Sequence, residues 1–141
     1  MAKPRTVRSK RRRPGPEPGV IVDILFENGL LFLSLKNVTR GAAYDVSVRF
    51  EPVLMGFGGT VVMGALPLFR DVTFLAPGRE IRTLLDDSAS YFASGQPTRI
   101  AATVTYVDAA GRRHSATMHH NIEMYRNVAY VISPARSEEG H

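Results

Sequence analysis

The chain has 141 residues, 44% of them hydrophobic and 22% charged, and no cysteine. That composition excludes a disordered polypeptide, a disulfide-stapled scaffold and a thiolate metal centre, and the length bounds one domain of ordinary size. The net charge of +5 is confined to one end: Lys3, Arg5, Arg8, Lys10, Arg11, Arg12 and Arg13 precede Gly19, leaving 11 basic against 12 acidic residues beyond it. The high isoelectric point therefore describes an arm rather than a surface, and it excludes reading the body as a basic nucleic-acid platform.

Residues 1–19 are basic and rich in Pro and Gly, with no periodic apolar pattern, and are read as a disordered arm. Pro14, Pro16 and Pro18 at alternate positions favour an extended, stiff spacer. No apolar run follows Arg13, so the arm is not a secretory signal. No later stretch reaches the roughly 20 apolar residues of a membrane-spanning helix. No transmembrane segment and a cytoplasmic location are the expectations.

Residues 20–27 (VIVDILFE) are β-branched and apolar, and Asn28-Gly29 supplies the pair that a two-residue hairpin turn prefers. The return strand, residues 30–38, places Leu31, Leu33 and Leu35 on one face, with Phe32 breaking the alternation as at an edge or a covered outer face. Thr39-Arg40-Gly41 turns the chain into residues 43–50, where Tyr44, Val46, Val48 and Phe50 alternate with Asp45, Ser47 and Arg49. Residues 51–70 carry Gly56, Gly58, Gly59 and Gly64 among apolar side chains, which predicts a loop with one short strand near residues 60–63. A strand at 72–75, a turn at Ala76-Pro77-Gly78 and a strand at 80–85 follow. Residues 86–96 read as a loop or one helical turn capped by Asp87 or Ser88. Residues 99–107 alternate again, with Thr103 and Thr105 opposite the apolar face, and a turn at 108–111 leads into a strand at 113–121. Residues 122–126 are ambiguous, 127–132 form a last strand or an ordered extension, and 133–141 a frayed tail. Seven or eight short strands at roughly ten-residue spacing, with no long helix, predict an all-β antiparallel sandwich spanning residues 20–132.

Leu33-Ser34-Leu35-Lys36-Asn37-Val38, a glycine-containing turn and Ala42-Ala43-Tyr44-Asp45-Val46-Ser47-Val48 together resemble bacterial immunoglobulin-like domains of the CARDB type. Phe74-Leu75-Ala76-Pro77-Gly78 and Tyr106-Val107-Asp108-Ala109-Ala110-Gly111 extend the resemblance across residues 20–121. The chain departs from the pattern in the spacing of the turn glycine after Asn37 and in the glycine-rich insertion at 54–69. The resemblance implies an immunoglobulin-like interaction or spacer module with no catalytic residues to carry over.

No motif for catalysis stands out. His114, His119, His120 and His141 gather late in the chain, but on an extended strand His114 and His120 share one face and His119 the other. A metal site would need a third ligand such as Asp108 or Glu123, so these read as surface or rim histidines. Asp86-Asp87 and Asp108 read as local hydrogen-bond acceptors rather than a calcium loop. Ser88, Ser90 and Ser94 lack a base at a fixed offset. Gly56-Phe57-Gly58-Gly59-Thr60 lacks the lysine and the following helix of a phosphate loop. An enzyme is not expected, nor a metal or cofactor.

Two binding features remain. Residues 53–69 hold more apolar side chains than one edge strand buries, so Met55, Phe57, Val61, Met63, Leu66 and Phe69 are candidates for a protein-binding patch. The alternative is that they fill the sandwich or cap an open end. An exposed sheet edge offers strand addition to the same kind of partner. The seven cations of the arm are candidates for a polyanion, either nucleic acid without sequence preference or an anionic membrane surface. The expected function is a non-enzymatic module that binds a protein partner, with polyanion binding through the arm as the alternative.

Overall fold

The alternation and turn chemistry resolve into nine strands and two short helices in a computed structural model that describes residues 19–128. Residues 1–18 of the arm with its seven cations, residues 129–132 of the expected last strand, the 133–141 tail and His141 lie outside the described residues. In chain order come β1 (Val20–Glu27), β2 (Leu30–Asn37), β3 (Ala43–Glu51), β4 (Met55–Gly56), β5 (Val61–Val62), α1 (Pro67–Arg70), β6 (Val72–Leu75), β7 (Glu80–Asp87), α2 (Ser88–Ala93), β8 (Arg99–Asp108) and β9 (Arg113–Asn121). Three-residue and four-residue 3-10 turns sit at Met63–Ala65 and Ile122–Tyr125. Asn127 and Val128 belong to a turn.

One sheet has the order β1-β2-β7 and the other β6-β3-β8-β9, all pairs antiparallel, with β4-β5 as a separate small ladder. This is an immunoglobulin-like sandwich, with the chain crossing between sheets after β2, β6 and β7. The Asn28-Gly29 turn is as expected, both residues having positive φ (53° and 79°), the backbone that a right-twisted hairpin requires. Between the sheets lie Val20, Val22, Ile24, Leu31, Leu33, Leu35 and Leu85 from one side. Val46, Val48, Phe50, Ile100, Ala102 and Val104 face them from the other. Each large aliphatic side chain so enclosed contributes about 1.5–3 kcal/mol.

Tyr44 departs from the expected face. A bulge between Tyr44 and Ser47 sets two residues of β3 against one of β8, and Asp45 takes φ 53° to accommodate it. The extra residue reverses the pleat, so Ala43 points into the core and Tyr44 outward. There its ring meets Phe74 of β6 at 5.6 Å between centroids.

Residues 51–70 contain the short strand expected near residues 60–63, as β5, but are otherwise more ordered than the expected loop. They fold into β4, β5, a 3-10 turn and α1, because β6 pairs with β3 only from Ala43 to Val46 and leaves the rest of that strand's flank uncovered. α1 packs there, its Phe69 ring edge-on to Phe50 at 5.1 Å.

The outer edge of β1 is closed by side chains. Val22 N–H donates to Met118 Sδ (3.3 Å), His120 Nε2 lies 2.9 Å from the Val22 carbonyl, and the Tyr125 hydroxyl donates to the Ile24 carbonyl (3.2 Å). Tyr125 also stacks on Phe26. Backbone groups of Val22 and Ile24 that would otherwise template another strand are thereby occupied.

Candidate functional site

The apolar segment after β3 divides by burial. Leu54, Met63 and Phe69 are buried in the core, so Met63 and Phe69, expected at a binding surface, are instead packing residues. Met55, Val61 and Leu66 are half-buried. Phe57, Val53 and Val62 stay exposed, at 42%, 60% and 43%. The segment therefore both plugs the sandwich beside β3 and leaves apolar surface in water.

Its conformation is held from β7. Phe57, Gly58 and Gly59 have successive positive φ values of 54°, 70° and 85°. The Phe57 N–H donates to the Leu85 carbonyl (2.9 Å) and the Gly58 N–H to the Asp86 carboxylate (2.8 Å). Asp86 is buried and also accepts from the Asp87 N–H, while Asp87 caps α2 through the Ser90 N–H at 2.7 Å. Both aspartates are thus committed to backbone donors. The glycine-rich turn directs the Gly58 N–H at the protein's own carboxylate rather than at a ligand.

Where α1 takes the place of a strand beside β3, a cleft of about 430 Å³ opens on the outer face of the four-stranded sheet. Ser47 and Arg49 of β3 and Thr103 and Thr105 of β8 supply the sheet side, paired directly across the strands. Val53, Val62, Phe69 and Arg70 supply the other wall. The Ser47 and Thr105 hydroxyls are 2.8 Å apart, and Thr103 pairs with Thr117 at 2.9 Å. Among the described residues, neither Arg49 nor Arg70 has a carboxylate within ion-pair distance, whereas Arg82 engages Glu27 and Glu80, and Arg126 engages Glu123. Sequence reasoning assigned Ser47, Arg49, Thr103 and Thr105 to the polar faces of their strands. What it missed is that the two polar faces adjoin, and that Arg70 and Val53 face them.

The histidines do not converge. His114 stacks on Tyr106 and bonds Asp108 at 2.8 Å, while His120 serves the Val22 carbonyl. The His114 contact, with the backbone N–H groups of Arg112 and Ala110, holds the Asp108 carboxyl down at about 2. His119 lies on the opposite face of β9. No group of three His, Asp or Glu side chains placed to hold a metal occurs among the described residues. Ser88 is buried at the start of α2, and Ser94 donates to the Tyr91 carbonyl. Tyr91 is fully buried, its hydroxyl donating to the Pro97 carbonyl, and burial followed by the nearby Asp86 charge raises its pKa. Among the described residues, no helix is long and apolar enough to cross a membrane.

A family described as Domain of unknown function (DUF8453) matches residues 2–126. No curated protein and no solved structure matches the chain.

Proposed function

The chain belongs to the DUF8453 family, and for it we propose the role of a non-enzymatic immunoglobulin-like module that binds a protein partner at the cleft beside β3. The observation that carries this reading is the exposure of Val53 and Val62 on the wall of a cleft of about 430 Å³, in a segment that Leu54, Met63 and Phe69 anchor in the core. Apolar side chains held in water on a rigid support gain free energy when a partner covers them, and they lose little entropy because the support is already ordered. The resemblance to CARDB-type domains supports the same reading. A second reading, polyanion binding through the arm, is favoured by the confinement of the excess positive charge to residues 1–19.

The cleft is tested by replacing Val53 and Val62 together with Glu. Both side chains are exposed, so the melting temperature should stay within a few degrees of wild type. A protein that the wild type captures from an extract of its own cells should be lost by the double variant. Equal capture by both proteins would remove the cleft as the binding site.

A further inference from the structure

Resting on the proposal that the cleft beside β3 holds a partner, we infer that it recognises a carboxylate flanked by branched aliphatic side chains, on an extended acidic segment of that partner. Arg49 reaches the cleft from β3, held by its pairing with β8, and Arg70 from α1, held against β3 by the Phe50–Phe69 contact. Neither guanidinium is paired with a carboxylate among the described residues.

Their planar forks match a carboxylate, and the pairing strengthens as a ligand displaces water from the cleft. In the same cleft, the Ser47–Thr105 hydroxyl pair adds a donor: one hydroxyl donates to the other, and the acceptor keeps its own proton for a ligand. Val53 and Val62 stand on the facing wall. A purely aliphatic ligand would desolvate two arginines without replacing their hydrogen bonds, a costly arrangement. A purely acidic ligand would leave the valines in water. The two requirements are met together by a strand-like peptide alternating acidic and aliphatic residues, whose side chains fall on opposite faces at period two.

The probe is a labelled 12-residue peptide of alternating Leu and Glu, titrated by fluorescence anisotropy into the full chain. Because the basic arm attracts any acidic peptide, three proteins are compared: wild type, R49Q/R70Q, and a chain with the seven arm cations replaced by Gln. R49Q/R70Q is expected to weaken binding at least tenfold, and a Leu/Gln peptide should bind the wild type at least tenfold more weakly than the Leu/Glu peptide. Both arginines are exposed, so an unchanged melting temperature verifies the fold. Wild-type affinity in R49Q/R70Q overturns the inference, as does a loss confined to the arm variant. Tighter binding of a serine/phosphoserine peptide than of the Leu/Glu peptide also overturns it. If V53E/V62E loses the cellular partner while R49Q/R70Q keeps it, the cleft stands and only the carboxylate assignment falls.

Discussion

The Asn37 side-chain amide, fully buried, joins the turn that leaves one sheet to the end of β6 in the other. Its Nδ2 donates to the Gly41 carbonyl (2.9 Å) and the Leu75 carbonyl (3.0 Å), and its Oδ1 accepts from the Thr39 N–H and hydroxyl. Its backbone adds bonds to Arg79 and Gly78. Asn37→Ala would leave the buried Leu75 carbonyl without its donor and the Thr39 N–H without its acceptor, so a loss of about 2 kcal/mol is expected in urea unfolding. A loss under about 1 kcal/mol would mean that water takes over these bonds. The sequence places Asn37 near the end of the strand at 30–38, just before the turn. That it is also a buried cross-link depends on Leu75, a strand away. Tyr44 teaches the same lesson, since its face was assigned by alternation and reversed by a bulge that no period-two pattern reveals.

The segment from β4 to α1 shows how much an element owes to its neighbours. Its glycine density correctly announces an irregular backbone, yet one glycine is required for a different reason. A Cβ on Gly56 would collide with the Leu85 carbonyl and come within 2.7 Å of Met63 Sδ. Gly56→Ala should therefore cost about 1–3 kcal/mol through overpacking. It should also speed hydrogen exchange at the Phe57 and Gly58 amides, whose acceptors lie at the end of β7, while amides of β8 keep their protection. Uniform loss of protection, or none, would contradict the picture of a segment anchored locally to β7. Which apolar residues of this segment turn inward was not legible beforehand. An apolar run without a period carries no phase, and the vacancy beside β3 is created by the shortness of β6.

Over the whole molecule, charge is divided between an arm of seven cations and a body whose 11 basic and 12 acidic residues nearly balance. Replacing the seven arm cations by Gln should abolish salt-dependent retention on heparin, because the body alone offers too little net charge for counterion release. Retention that survives the replacement would move any polyanion site onto the body and end the reading of the arm as the contact. By itself the sequence determined the seven longer strands, their turns, the sandwich class and the confinement of charge to one end. Each of these is written in residues adjacent in the chain, through alternation, turn-forming side chains and local composition. Only the tertiary structure decided the phase of β3 at Tyr44, the closure of the β1 edge, the burial of Met63 and Phe69, and the cleft joining Arg49 to Arg70. These depend on pairing register and on how a segment fills space left by distant strands, and such packing has no signature within any short window of sequence.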